Sequence, residues 1–399
     1  MLKKISVSLL MASLLLNAQE VPAKKEVKTP QSIINKSLEQ LKNNGVVVEN
    51  RKTTATNDSF DMVVKDLSKA LPKDANITTK DVSGFSGIKA HSDINYTKDG
   101  YTAISYLSGL PNNPDASQEE KITIAQILKE RLIYITTKYS IKDYKYNMIF
   151  KDIDTILAKV KVKISNFVAN GTYNPDDLYS QNGKVSIGDI AIKPLEKRYV
   201  GEYLNIKNLY LSTSLSAKNN LVDITYTTGV DSIDGNLSKE SININKLNSS
   251  IKLGNINKEA YDKIIKLAQS KVIDPQSPEF LDTVSKLITK GFYIEIKDLS
   301  LDSALIKGEK LGLFKLYIKA SLKPDDKLAQ IIKISPMMAL GALSVESKIT
   351  ISKSLFELIS KFPQGAMLAF IPPKIEKGNM VYNISFNDGK LLVNGKPMQ

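Results

Sequence analysis

Val185-Ser186-Ile187-Gly188-Asp189-Ile190-Ala191-Ile192 alternates apolar and polar residues, then breaks step at Asp189. The phrase returns as Leu204-Asn205-Ile206-Lys207-Asn208-Leu209-Tyr210-Leu211 and as Ile294-Glu295-Ile296-Lys297-Asp298-Leu299-Ser300-Leu301. Ile242-Asn243-Ile244-Asn245-Lys246-Leu247 is a degenerate fourth copy. Alternation with period two puts one face of a strand on a core and the other in water. The Asp or Asn step shifts the apolar phase by one residue, so the backbone must bulge or twist there to keep one greasy face. The copies are unevenly spaced, which excludes a solenoid of fixed period. They predict an α+β, β-dominated fold: long curved antiparallel sheets with interspersed amphipathic helices, able to form a groove.

Outward from these phrases the pattern continues. Tyr144, Tyr146, Met148 and Phe150 alternate with polar residues, as do Val160, Val162 and Ile164. Val46–Tyr106 reads as β-rich, with a short helix near Asp61–Leu71. Strands are expected at Tyr293–Ala304, Leu311–Leu322, Ser344–Ser352, Val381–Phe386 and Lys390–Val393. Asp388-Gly389 joins the last two as a hairpin turn. Asn174-Pro175-Asp176-Asp177 and Asn182-Gly183 read as turns, and Leu110–Pro114 as a break. Pro30 opens a helix with Ile33, Ile34, Leu38 and Leu41 on one face, stopped by Gly45. Ser117 and Glu120 form a capping box for a helix to about Leu132. Asn257 caps a helix near 257–270. Ser277-Pro278 opens another near 277–290, ended by Gly291. Further helices are expected near Asp326–Ile334 and 355–362.

The N-terminus has the form of an export signal. Lys3-Lys4 precede a nearly apolar run from Ile5 to Leu16, and Ala18 or Ala23 offers a cleavage point. That run is short of the ~18–20 residues that span a bilayer. The organisation expected is a signal peptide over 1–18, a polar tether over 19–29, an N-terminal α+β region over 30–180 and a C-terminal β-rich region over 181–399.

The chain has 399 residues, no Cys, no Trp and one His. Disulfides, Cys-ligated metals, thiol nucleophiles and multi-His metal sites are thereby excluded within one chain. The net charge is +13. Nearly all of it is lysine, since only Arg51, Arg131 and Arg198 are arginines. Bidentate reading of bases and phosphates relies on Arg, and the lysines are interspersed with acids, so no nucleic-acid partner is expected. A modest attraction to anionic lipid or cell-wall polymer is consistent with the charge.

Chemistry leaves few candidates. His91, with Asp93 two residues on, could serve as an oriented base, but no nucleophile motif accompanies it. Paired carboxylates occur at Glu119-Glu120, Asp176-Asp177 and Asp325-Asp326; a cell-wall glycan hydrolase could use two separated acids. Gly84 and Gly87 lack the Lys-Ser/Thr tail of a phosphate loop. No cofactor motif is present. Asn76, Asn95 and Asn236 each stand in Asp-x-Asn-x-Ser/Thr, a pattern that resembles the extended acceptor of periplasmic N-glycosylation in some epsilon-class bacteria.

The end of the chain, Gly378-Asn-Met-Val-Tyr382 through Asp388-Gly389-Lys-Leu-Leu-Val-Asn394-Gly395-Lys-Pro397, resembles the close of the YdgA-like family of bacterial envelope proteins. That resemblance implies an export segment, strand-rich repeats and a final hairpin of the form Y…DG-x-L-x-x-NG-x-P. The family supplies no catalytic residues to carry over. The strand grammar is more loosely similar to the AsmA-like envelope proteins, whose long sheets are associated with lipid handling. The expectation is an exported, non-enzymatic protein of the periplasm or cell envelope, with a lipid or envelope component as partner and peripheral membrane contact. The alternative is the carboxylate-dependent glycan hydrolase.

Overall fold

The computed structural model describes residues 29–66, 68, 86–111, 117–174, 177, 179–238, 240–269, 277–306, 308–328, 330, 341–361 and 371–397. Residues 1–28, which include the expected export segment and most of the expected tether, and Asn76 lie outside the described residues. The fold is β-dominated and its strand pairs are antiparallel, with five α-helices among the described residues. The chain divides into two compact units, one ending at Ser186 and the other starting at Ile187.

The first unit begins with α1 (Pro30–Asn43), whose N-terminus is closed by a capping box between Thr29 and Ser32. Strands β1 (Val46–Thr53), β2 (Asn57–Val64), β3 (Lys89–Thr97) and β4 (Gly100–Gly109) follow. Then come α2 (Gln118–Lys129), β5 (Tyr134–Ser140), β6 (Lys145–Phe150), β7 (Ile153–Leu157), β8 (Val160–Ser165), β9 (Val168–Thr172) and β10 (Ser180–Pro194), whose residues from Ile187 on count with the second unit. The sheet order is β1-β2-β3-β4-β5-β6-β9-β10, and β7 and β8 form a hairpin whose β8 also pairs with β10. α1 places Ile34, Leu38 and Leu41 on a core with Phe60, Met62, Val64, Ile94 and Leu107. Gly45 ends the helix because it must: its φ is +84°, and a Cβ there would lie 1.8 Å from the carbonyl oxygen of Asp66.

Three expectations need correction here. Asp61–Val64 is not helical but completes β2, because Phe60, Met62 and Val64, spaced two apart, all enter the core, and Val63 is buried as well. Residues 67 and 69–71 lie outside the described residues. Asn182-Gly183 is not a turn but part of β10, opposite Thr172 and Gly171. The bare Gly171 admits the Asn182 carbonyl, which a Cβ would meet at 2.1 Å. α2 stops at Lys129 rather than near Leu132, and Arg131 then takes a left-handed φ of 47°. Of the helix expected near Asp326–Ile334, residues 329 and 331–334 lie outside the described residues.

In the second unit, β11 (Tyr203–Lys218), β12 (Leu221–Leu237) and β13 (Glu240–Asn257) are long hairpin partners. The helical pair α3 (Lys258–Gln269) and α4 (Pro278–Lys290) follows, then β14 (Phe292–Ile306), β15 (Glu309–Leu311), β16 (Phe314–Leu322) and β17 (Leu343–Ser352). α5 (Lys353–Ile359), β18 (Lys374–Glu376), β19 (Asn379–Asn387), β20 (Lys390–Val393) and β21 (Lys396–Pro397) close the chain. The meander runs β11-β12-β13-β14-β16-β17-β19-β20-β21. Ser277 caps α4 with Pro278 in its first turn, and Gly291 leaves it at φ +70°. Asp388 and Gly389 both have positive φ, as do Asn394 and Gly395, the signature of tight two-residue hairpin turns.

The phase shift in the repeated phrase has a physical counterpart. Between β11 and β12 the ladder stops at Lys207 opposite Ser232 and resumes at Tyr210 opposite Gly229. Asn208 sits in the gap at φ +52°, and its amide donates to Asp231 Oδ2 at 2.7 Å. The gap continues across the sheet. Asp231 and Lys246 are skipped between β12 and β13, and Lys246 and Asp302 between β13 and β14. Lys246 is also left-handed, at φ +50°, with Nζ 3.4 Å from Asp302 Oδ2. Four strands thus share one polar crease. A left-handed residue reverses the side on which the following side chains emerge, so Leu204 and Ile206 before it share a face with Leu209 and Leu211 after it. In the Ile294–Leu301 copy the same task falls to a bulge: Lys297 and Asp298 together face Tyr317.

Candidate functional site

The second sheet has two unlike faces. The register aligns Leu211, Thr228, Ser249, Leu299, Leu316, Ile349 and Tyr382 in one cross-strand row. The next row on that face is Thr213, Tyr226, Ile251, Ile296, Ile318, Ser347 and Ile384, and the third includes Ile224, Leu253, Ile294 and Val345. The opposite face carries Lys252, Glu295, Lys319 and Glu346 in direct succession, a ladder of alternating charge. There Lys252 Nζ bonds Asp223 Oδ2 at 2.7 Å and lies 5.4 Å from the Tyr293 ring centroid. The bond to Asp223 holds the Lys252 ammonium above its ordinary pKa.

The apolar face is not closed over. Leu211 is 48% exposed, Tyr226 49%, Ile251 38% and Ile294 44%. Val222 and Ile224 are buried at the end where β13 turns into α3. α3 and α4 pack against each other and against β13. Their apolar stripes are only half-covered, and Leu281 of α4 is exposed. A contiguous exposed apolar patch of this kind marks a place where a protein meets a lipid, a ligand or another protein. By contrast, the two buried hydrophobic clusters formed by described residues, around Phe60 and around Met148, belong to the first unit.

His91 stands on β3 between two carboxylates. Its Nδ1 lies 2.7 Å from Asp61 Oδ1 and its Nε2 3.1 Å from Asp93 Oδ1. Burial lowers the His91 pKa, but the two carboxylates outweigh it and the net direction is up. The Ser59 hydroxyl donates to Asp93 at 2.8 Å, not to the imidazole. Tyr106 packs on the ring at 5.2 Å, and the Arg131 guanidinium covers Tyr106 at 4.1 Å. Both ring nitrogens are therefore engaged by acids, and this arrangement favours an imidazolium held in place.

The paired acids are dispersed. Glu119 and Glu120 occupy the first turn of α2, where Glu120 completes the cap. Asp177 and Asp326 are exposed, Asp325 is half-buried, and Asp176 lies outside the described residues. Among the described residues no group of three or more His, Asp or Glu side chains could hold a metal ion. Among the same residues no helix is long and apolar enough to cross a membrane.

Of the three asparagines in the Asp-x-Asn-x-Ser/Thr pattern, Asn95 is exposed on β3 with partners on both sides, Asn57 and Thr102. Asn236 is half-buried on β12, and its amide donates to the Gly201 carbonyl at 3.1 Å. The C-terminal motif does structural work. Tyr382 is fully buried, and Asn394 accepts from the Asn383 amide at 3.0 Å while donating to the Pro372 carbonyl at 3.0 Å.

No protein-family model, no curated protein and no solved structure matches the chain. Sequence reading located the strands that build the apolar face and allowed for a groove, but did not decide whether that face is open or filled. It also missed a buried polar node: Asp58 accepts from Arg51, Thr53 and Tyr96. The only sequence signal for that node is an arginine in a chain that otherwise uses lysine.

Proposed function

We propose that this chain is an exported, non-enzymatic protein of the bacterial envelope, and that the open apolar face of its second unit holds the acyl part of an amphiphile. The observation that carries the reading is the run of exposed Leu211, Tyr226, Ile251 and Ile294 on one face of a sheet whose other face is charged. Burying such side chains contributes ~25 cal/mol per Å² of apolar surface removed from water. The +13 charge favours an anionic headgroup. The N-terminal export signal and the YdgA-like close of the chain support the envelope as its location.

Native extraction followed by lipid mass spectrometry tests this. A phospholipid or fatty acid should co-purify, and the double substitution Tyr226→Lys, Ile251→Lys should remove it while leaving the thermal melt intact. A lipid-free native protein sinks the amphiphile reading. If that protein self-associates through the same face, the face serves envelope assembly instead. Cell fractionation tests the location: recovery in the cytoplasm would overturn export.

A further inference from the structure

On the outer face of the first sheet, seven neighbouring strands each set one polar side chain on a single line. Asn57 stands opposite Asn95, Asn95 opposite Thr102, and Thr102 opposite Lys138. Lys138 stands opposite Asn147, Asn147 opposite Asn170, and Asn170 opposite Lys184. All seven residues are exposed. Among the described residues, the side chains of Asn95, Thr102, Lys138, Asn147 and Asn170 bond no other group of the protein. An open cleft of about 880 Å³ takes in Thr102, Lys138, Asn147 and Asn170 of this line and is bordered also by Asp99, Asp143, Lys145 and Asn182. Asp143 is paired with Lys145 at 2.7 Å, which leaves no acid on the line itself.

This composition is not what a strand surface needs. Asn is among the residues depleted from strands, and exposed positions are better filled by Thr or Val. Four asparagines on one line return no packing. The neighbouring line on the same face is apolar at its centre: Ile104 stands opposite Thr136, Thr136 opposite Ile149, and Ile149 opposite Val168. Ile149 is half exposed.

We propose that this line of amides binds an extended glycan lying across the strands. Each carboxamide offers two donors and an acceptor, which suits sugar hydroxyl and acetamido groups. Strand spacing repeats the polar side chains of the line every ~4.8 Å, with the amides in two adjacent pairs on either side of Thr102 and Lys138, close to the step of one hexose along an extended β-linked chain. The apolar faces of the rings would lie towards Ile104 and Ile149, and Lys138 and Lys184 would admit acidic sugars. The site is independent of the apolar face of the second unit.

The probe is a β-1,4-linked hexasaccharide of N-acetylglucosamine, titrated calorimetrically into the full-length protein. Saturable binding is expected, tighter for the hexamer than for the dimer. The variant Asn147→Ala, Asn170→Ala should weaken it about tenfold, as the loss of two hydrogen bonds of modest net worth implies. Asn147→Asp with Asn170→Asp should weaken it too, since it keeps shape and removes the donors. Tyr226→Lys should leave it unchanged. Both asparagines are exposed, so melting temperatures should match the unmodified protein. Absence of saturable binding, equal binding of dimer and hexamer, or binding indifferent to the amide variants would each overturn the proposal.

Discussion

The guanidinium of Arg51 grips the carboxylate of Asp58, a side chain buried between β1, β2 and β3. Arg51 Nε lies 3.0 Å from Asp58 Oδ1, and its terminal nitrogen bonds both Asp58 Oδ2 and Asn35 Oδ1 of α1. Thr53 and Tyr96 complete the shell at 3.0 and 3.1 Å. Burial raises the Asp58 pKa, but these donors outweigh it and the net direction is down. Removing Arg51 as Arg51→Met strands a buried charge, at a cost of about 3 kcal/mol. Arg51→Lys should recover only part of it, for want of the planar fork. A depressed carboxylate contributes stability above its unfolded pKa and loses it as pH falls through the folded value. Urea denaturation of Asp58→Asn should therefore approach the unmodified protein only in acid; a pH-independent gap would refute this assignment.

His91 gives the opposite sign. Its folded pKa is raised by Asp61 and Asp93. Its contribution is complete below the unfolded value of about 6.5 and fades as pH rises through the folded one. Thermal melts of His91→Gln should fall short of the unmodified protein by about 1 kcal/mol in mild acid, since the ring is partly exposed, and converge with it above that range. A gap that widens with pH would show that the imidazole is held neutral.

Asn208 carries the crease at φ +52°. Asn208→Gly should be tolerated within a few tenths of a kcal/mol, while Asn208→Val should lose about 1–2 kcal/mol, because a β-branched residue resists left-handed backbone. Equal melting temperatures for the two variants would mean that the crease does not need a left-handed residue.

Asn95 has a free amide and Asn236 does not. If the native host glycosylates this chain at a described site, the added mass seen in intact-mass spectra should vanish in Asn95→Gln and persist in Asn236→Gln. Added mass that survives Asn95→Gln counts against Asn95 as the acceptor.

Much of the architecture is local and was legible as such. Alternation in Leu204–Leu211, Pro278 and Gly291 around α4, and the Asp388-Gly389 turn depend on φ preference and on period two, which neighbours in sequence already set. The same local rules misread Asn182-Gly183, because a turn signal yields to a strand when Gly171 opens room for it across the ladder. The burial of Phe60, Met62 and Val64, spaced two apart in one core, likewise overrode the helix expected there.

Read alone, then, the sequence determined the strands, the caps and the demand for a break at Asn208 and Asp298. It could not place Lys246 beside Asp302, 56 residues on, nor align Asn57 with Asn95 or Tyr226 with Ile251. Those are matters of cross-strand register, which joins residues far apart in the chain. Whether an apolar row is sealed or left open depends on what packs above it. Only the tertiary structure decides that, because burial is a property of the neighbours a side chain acquires and not of the side chain itself.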